Sequence, residues 1–80
     1  MRARVFVTLK PSVFDPQGKT VTDALHTLGY NSVKDVRQGK FFVLDLAGDT
    51  REAAEKQIEK VAREVLTNPV IEEFRYEILD

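Results

Sequence analysis

The order of hydrophobic periodicities along the 80-residue chain constrains its fold more than any other feature of the sequence. Residues Arg2 to Leu9 alternate between apolar and polar, which is the period expected of a half-buried β-strand. Residues Val70 to Leu79 alternate in the same way at the other end of the chain. Two segments between them repeat apolar residues at helical spacing. The chain is therefore predicted to begin and end in strands that flank two helices.

The first helix is predicted to begin at Asp15, with Pro16 as its first helical residue. Gly29 is predicted to end it, because glycine readily adopts the left-handed conformation that follows a helix, and Tyr30 can fold back on the last turn. The predicted core-facing residues recur at helical spacing: Val21, Ala24, Leu25 and Leu28.

The stretch "DPQGKT", Asp15 to Thr20, ends like a phosphate-binding loop. That loop requires a further glycine at the position of Val13, and Pro11 and Pro16 remove two of the backbone donors that would hold a phosphate. The capped helix start explains this stretch better than a nucleotide site does.

The runs "VKDVRQGK" and "KFFVLDLAG" resemble two strands joined at Gln38-Gly39, and they predict a β-hairpin in which glycine takes a positive φ. The second helix is predicted to begin at an Asp49 cap and to end at Asn68-Pro69. Its predicted apolar face contains Ala54, Ile58, Val61, Ala62, Val65 and Leu66.

The resulting order βαββαβ predicts a single α+β domain over residues 1–80. Its expected form is ferredoxin-like, a four-stranded antiparallel sheet with two helices on one face. The other face is then uncovered. If Val5 and Val7 face the helices, Phe6 points away, together with either Phe41 and Val43 or Phe42 and Leu44. Such a patch predicts self-association through the sheet.

Composition narrows the classes of protein to which the chain can belong. It has no cysteine and a net charge of −1, so disulfide bonds are excluded and no strong field favours nucleic acid or an anionic membrane. No apolar run approaches the roughly 20 residues of a membrane helix, and the first residues lead into a strand, so we expect a cytoplasmic protein. The core of so short a chain is thin, which favours oligomerisation.

The residues that could carry chemistry are few. His26 is the only histidine and is predicted to lie on the solvated side of the first helix, so a zinc site is not expected. Ser12 and Ser32 fall in predicted turns, and Glu72 and Glu73 face opposite sides of a strand. The sequence predicts no catalytic centre.

Several stretches, in order and across nearly the whole chain, resemble the PurS family, the small subunit of phosphoribosylformylglycinamidine synthase. They are "VTLKPSVFDPQGKTV", "ALHTLGY", "VKDVRQGKFF" and "NPVIEEFRYEI". The resemblance implies a noncatalytic subunit that joins a PurQ-type glutaminase and a PurL-type synthetase in purine biosynthesis. It also implies that ATP, magnesium and glutamine bind those larger subunits, that this chain holds no cofactor, and that it forms dimers or dimers of dimers.

The matched positions yield candidate contact residues. We expect Lys10, Asp15, Gln17, Arg37 and Lys40 to contact the larger subunits, and Phe6, Phe41 and Val43 to mediate self-association. Three other functions share the expected fold. An RNA-binding module would use aromatic residues of "GKFFVLDL", although the balanced charge and the lack of a matching aromatic on the first strand count against it. An acylphosphatase would need free N–H groups where this loop has prolines, and a small-molecule-sensing regulatory module is left open.

Overall fold

The computed structural model describes residues 1–47 and 50–79. Its elements are β1 (Arg2–Leu9), α1 (Pro16–Thr27), β2 (Gly39–Asp45), α2 (Arg51–Val61), a π-helical continuation of α2 (Ala62–Leu66) and β3 (Glu72–Leu79). The strands form one antiparallel sheet in the order β2-β1-β3. The predicted α+β class is confirmed. Neither helix in this described part is long and apolar enough to cross a membrane.

The core lies between one face of the sheet and α2. The alternation of β1 places Ala3, Val5 and Val7 on this face, where they are almost completely buried. Helix α2 covers them with its own stripe, and the buried hydrophobic residues beyond β1 are Ala54, Ile58, Ala62 and Ile78. The core is therefore built on the central strand and a single helix.

The predicted start and end of α1 are both confirmed. Asp15 is the N-cap and accepts a hydrogen bond from the Gly18 N–H at 2.9 Å, and Pro16 opens the helix. At the other end, Gly29 has a φ of 98°, and its N–H donates to the carbonyl of His26. The Tyr30 N–H donates to the carbonyl of Leu25, which completes a Schellman motif.

The predicted fourth strand is wrong. Among the described residues the sheet has three strands, and residues 33–38 of the predicted strand belong to none of them. Their polar groups are used elsewhere, since the Gln38 N–H donates to Asp15 and the Val33 carbonyl contacts His26. Gly39 does not make a positive-φ turn either. It opens β2, where a Cβ would collide with the carbonyl of Val7.

The prediction that both helices cover the sheet is also wrong. Helix α2 packs on the β3 side, whereas α1 has no comparable packing against any strand. The apolar face of α1 is consequently exposed at Val21, Ala24 and Leu28, and only half-buried at Leu25. The chain is elongated, with a radius of gyration of 16.0 Å against about 12 Å for a compact chain of this length. The ferredoxin-like arrangement is not formed within the described part of a single chain.

The second helix differs in detail from its prediction. The proposed cap Asp49 lies outside the described residues, and Thr50 is the N-cap, accepting from the Ala53 N–H at 3.1 Å. After Ala62 the helix widens into the π form. The extra residue per turn rotates the apolar stripe, so Val65, predicted to be buried, is exposed. The helical stretch ends at Leu66, close to the predicted Asn68-Pro69 stop.

Candidate functional site

The three residues predicted for self-association lie together on the uncovered face of the sheet. Phe6 is opposite Phe41 in the register of β1 and β2, and their rings stack with centroids 5.1 Å apart. Phe41 and Val43 are each 56% exposed, so the alternation selects Phe41 and Val43 rather than Phe42 and Leu44. On the other side of Phe6, the guanidinium carbon of Arg75 lies 4.0 Å from the ring centroid. We call Phe6, Phe41, Val43 and Arg75 the open-face cluster.

Charged residues surround the open-face cluster. Arg4 stands between Val43 on β2 and Glu77 on β3. Glu77 also accepts a hydrogen bond from Arg75 Nη1 at 3.3 Å. This apolar centre with a charged rim has the composition of a protein-interaction surface, in which polar residues ring a desolvated patch.

The five residues predicted to contact larger subunits also come together, at the end of the sheet where β1 ends and β2 begins. We call Lys10, Asp15, Gln17, Arg37 and Lys40 the loop cluster. Asp15 is its buried centre, only 5% exposed. Its Oδ2 accepts from the Gln38 N–H at 2.7 Å, while Oδ1 is bound by Gly18. Both carboxylate oxygens therefore have a structural role, and a contact with a larger subunit stays a prediction for this residue.

The hydrogen bonds to Asp15 stabilise its charged form. The donors at Gly18 and Gln38 lower the pKa of the Asp15 carboxyl below its ordinary value of 3.8, and the nearby Arg37 guanidinium acts in the same direction. Burial of the carboxyl acts in the opposite direction, but the net effect is a lowered pKa. Asp15 is thus an anion at neutral pH that fastens the start of α1 to the chain entering β2.

Arg37 also stabilises this region, through hydrogen bonds to the loop between β1 and α1. Its Nη2 donates to the carbonyl of Val13 at 2.7 Å and to that of Lys10 at 3.1 Å. The Lys10 N–H in turn donates to the carbonyl of Ile71. Arg37 is nevertheless exposed, so its guanidinium has donors left over for a partner.

The remaining members of the loop cluster line a cleft of about 180 Å³ beside the start of β2. Gln17 Oε1 accepts from Gln38 Nε2 at 3.0 Å on one side. Lys40 Nζ lies 3.5 Å from Glu72 Oε2 on the other, with the lysine 60% exposed. Gln17 and Lys40 are thus paired with Gln38 and Glu72 and face solvent, which suits recognition of another protein surface rather than covalent chemistry.

The other candidate residues have structural roles. His26 lies on the exposed side of α1 as predicted, and its Nε2 is 2.7 Å from the Val33 carbonyl, so that nitrogen carries the proton. Within residues 1–47 and 50–79, no three His, Cys, Asp or Glu side chains come close enough to hold a metal ion.

Arg75 and Gln38 were missed by reasoning from sequence. Arg75 lies in the matched stretch "EEFRYEI", but its place over Phe6 depends on the register between β1 and β3, which alternation alone does not fix. Gln38 was interpreted as half of a turn and instead supplies two hydrogen bonds to the loop cluster.

Comparison with known proteins agrees with this geometry. The sequence model of a family described as "PurS: Phosphoribosylformylglycinamidine (FGAM) synthase" matches residues 2–80. The chain belongs to the PurS family. Among its relatives, phosphoribosylformylglycinamidine synthase subunit PurS of Bacillus subtilis is 42% identical over 77 residues, covering 96% of this chain and 90% of the relative. The corresponding protein of Synechocystis is 41% identical over 75 residues, covering 94% and 75%.

Solved PurS structures share the fold of this chain. A B. subtilis PurS structure superimposes with a TM-score of 0.86 at 40% identity, covering 99% of this chain and 98% of the other. A chain in a structure of PurLQS from Thermotoga maritima gives a TM-score of 0.89 at 31% identity, covering 98% of this chain and 95% of the other. The elongated chain with α1 apart from the sheet therefore agrees with PurS structures over nearly its whole length.

Proposed function

We propose that this chain is the noncatalytic small subunit of phosphoribosylformylglycinamidine synthase, the glutamine-using, ATP-dependent ligase that makes the amidine during purine biosynthesis. Membership of the PurS family across residues 2–80 is the observation that carries the proposal. The structural similarity to a chain in the Thermotoga maritima PurLQS structure supports an assembly with two larger subunits. The proposal assigns the complex to the cytoplasm.

In this proposal the chain bridges a PurQ-type glutaminase and a PurL-type synthetase. ATP, magnesium and glutamine bind the larger subunits. The loop cluster contacts them, and the character of that cluster supports this role. Arg37 and Lys40 expose cationic groups next to the exposed amide of Gln17, and charged rims of this kind steer and orient protein partners.

The bridge matters because of the chemistry of ammonia. Ammonia released into water at neutral pH is mostly protonated, and ammonium is not a nucleophile. A complex that keeps the glutaminase and the synthetase joined and excludes water between them preserves the reactive form. A small subunit can contribute by fixing the two larger subunits in place, with no reactive group of its own.

Self-association through the open-face cluster forms the second part of the proposal, and it gives a dimer or a dimer of dimers. The stacked rings of Phe6 and Phe41 and the exposed Val43 supply the apolar area. Arg75 and Glu77 supply paired charges at its border. An isologous contact between two such faces would bury the rings of both copies.

The test mixes the purified chain with the glutaminase and synthetase subunits in the presence of ADP and glutamine, and measures the mass of the assembly by light scattering. Synthesis of the amidine is then compared with glutamine and with ammonium chloride as the nitrogen source. We expect this chain to be required for the glutamine-driven reaction and to matter far less with ammonium. Equal rates with and without the chain, and no shift in mass, would refute the proposal.

A further inference from the structure

The loop between β1 and α1, residues 10–15, is held in place along its whole length by hydrogen bonds. The Val13 N–H donates to the Lys10 carbonyl at 2.9 Å, which closes a turn. Arg37 Nη2 donates to the carbonyls of both residues, at 2.7 and 3.1 Å. At the end of the loop, both carboxylate oxygens of Asp15 accept backbone N–H groups. The backbone of this loop is therefore fixed before any partner binds.

Phe14 lies on this fixed backbone, with its side chain in solvent. It is 69% exposed, more than any other phenylalanine or tyrosine in the ranges that the structure describes. A single exposed apolar residue is ordinary on a protein surface. Phe14 differs because Val13 and Asp15, on either side of it, are both bonded into the fold. The loop cannot rearrange to bury the ring without breaking these bonds.

The surroundings of Phe14 are polar. Arg37 bonds to the carbonyl of the residue before it, Asp15 follows it, and the exposed side chain of Gln17 lies in the first turn of α1. The residues that carry most of the affinity in protein interfaces are commonly aromatic rings in a desolvated centre, with polar contacts around them that exclude water. Phe14 gives the loop cluster the apolar centre that its five members lack.

The ring requires a concave apolar surface on a partner. The clefts found on the described surface of this chain have volumes between about 150 and 410 Å³, and each has charged or amide side chains in its walls. A phenyl ring inserted there would remove those polar groups from water without replacing their hydrogen bonds, which is unfavourable. These clefts on a second copy of the chain are therefore poor receptors for Phe14, and a different protein is the better one.

We propose that Phe14 anchors this chain to one of the larger subunits by inserting its ring into an apolar pocket there, with Arg37 as the positioning residue that holds the loop. The inference rests on the proposed function and adds to it the anchoring side chain and the chemistry of the surface that receives it. The loop cluster forms the polar border of this contact. Because the loop is already ordered, little conformational freedom is lost on binding, and more of the free energy of burying the ring contributes to affinity.

Photo-crosslinking identifies the surface that receives position 14. Benzoylphenylalanine, itself a phenylalanine derivative, replaces Phe14, and the chain is irradiated after mixing with the glutaminase and synthetase subunits, ADP and glutamine. We expect mass spectrometry to find a crosslink from position 14 to apolar residues of one larger subunit. Crosslinks to a second copy of this chain, or only within the chain, would overturn the proposal.

Truncation of the ring measures its contribution to affinity. Phe14→Ala should weaken binding of the larger subunits by roughly 10- to 100-fold, while the melting temperature of the isolated chain changes little because the ring is not packed against it. Phe14→Leu should retain most of the affinity, since leucine also fills an apolar pocket. Val65→Ala is the control, because it shortens another apolar side chain, 74% exposed, on the helical turn after α2. It should bind like the unaltered chain. Unchanged affinity for Phe14→Ala would refute the anchor.

A double-mutant cycle tests the role of Arg37. Arg37→Ala alone should weaken binding, because it releases the carbonyls of Lys10 and Val13 and with them the loop. Combined with Phe14→Ala it should weaken binding little further, since the freed loop then has no ring to position. If the losses of the two single variants multiply in the double variant, Arg37 does not act through Phe14.

The outcomes separate this inference from the proposed function. If the unaltered chain supports glutamine-driven synthesis and Phe14→Ala binds the larger subunits equally well, the proposed function is retained and the anchor is refuted. If the unaltered chain binds neither larger subunit, both are refuted. Assembly that depends on the ring at position 14 supports both.

Discussion

Gly18 lies so close to Val36 that a methyl group on Gly18 would overlap the Val36 carbonyl oxygen. This contact is where the first turn of α1 meets the extended chain that returns to β2. Only a residue without a side chain lets the helix approach the backbone so closely. The same approach brings the Gln38 N–H to the carboxylate of Asp15.

Gly18→Ala should therefore destabilise the protein. In an ordinary helix the change adds up to about 1 kcal/mol of stability, but here the overlap with a backbone carbonyl should lower the free energy of unfolding by about 1–3 kcal/mol. Urea denaturation followed by circular dichroism measures it. Thr20→Ala, at an exposed position of the same helix, is the control and should change stability by less than about 0.5 kcal/mol. A stabilised Gly18→Ala variant would disprove the role of the contact.

The lowered pKa of Asp15 predicts how stability depends on pH. A carboxyl whose pKa is lower in the folded state than in the unfolded state stabilises the fold at a pH above its unfolded pKa, and that stability is lost as the pH falls through the folded value. Thermal unfolding should therefore show a loss of stability below the ordinary carboxyl pKa of 3.8, to which Asp15 contributes.

Asp15→Asn is the matched variant for this dependence. Asparagine offers one oxygen acceptor, whereas Asp15 accepts at both oxygens, so its amide would face the Gln38 N–H with a second donor. The variant should melt at a lower temperature at neutral pH, and the difference from the unaltered chain should narrow in acid. Parallel curves at all pH values would argue against this assignment.

If the open-face cluster mediates self-association, a charge at position 43 should dissociate the assembly. Val43→Glu places a charge beside Phe41 on a surface that self-association would bury, and an unpaired buried charge is strongly unfavourable. We expect the mass in analytical ultracentrifugation to halve while the circular dichroism of the folded chain at low temperature is retained. Val70→Glu makes the same change at another exposed valine, in the turn before β3, and should leave the mass unaltered. If both variants sediment like the unaltered chain, the open face is not an interface.

The ion pair of Lys40 with Glu72 allows a structural role to be distinguished from a partner contact. Lys40→Glu should lower stability by about 1 kcal/mol or less, since the pair is largely exposed on the lysine side. The double variant Lys40→Glu, Glu72→Lys restores the pair with its charges reversed but should recover only part of that stability, because a lysine at position 72 cannot accept the Asn68 N–H that Glu72 accepts at 2.8 Å. Glutamine-driven synthesis should nevertheless stay reduced, because a larger subunit would meet the wrong charge. Full recovery of synthesis in the double variant would show that Lys40 acts only within the chain.

Much of the local structure could be predicted from sequence. Alternation separated the two faces of β1 correctly, and the structure then places Phe6, Phe41 and Val43 together on the uncovered one, which was one of the two predicted alternatives. The Asp15 cap and the Gly29 stop were also correct, because each depends on a few neighbouring residues. Such local features can be predicted without knowing the rest of the fold.

The errors concern long-range relations. The apolar stripe of α1 indicated correctly that the helix has a face to bury, but periodicity does not say which surface buries it. The run "VKDVRQGK" is predicted to be a strand, yet Val33, Arg37 and Gln38 bond to α1 and the loop before it. Gly39 was assigned to a turn, whereas the requirement for glycine comes from the nearby Val7 carbonyl. To avoid each of these errors, one would need to know which segments that are far apart in sequence lie close together in space.

Among the described residues, the largest fully buried side chains are Ile58, Val5 and Val7, contributed by one helix and one strand. If copies of the chain supply the rest of the buried surface, the folded state obeys mass action, and its melting temperature should rise with protein concentration. How long this chain survives in a cell would then depend on how much of it is made.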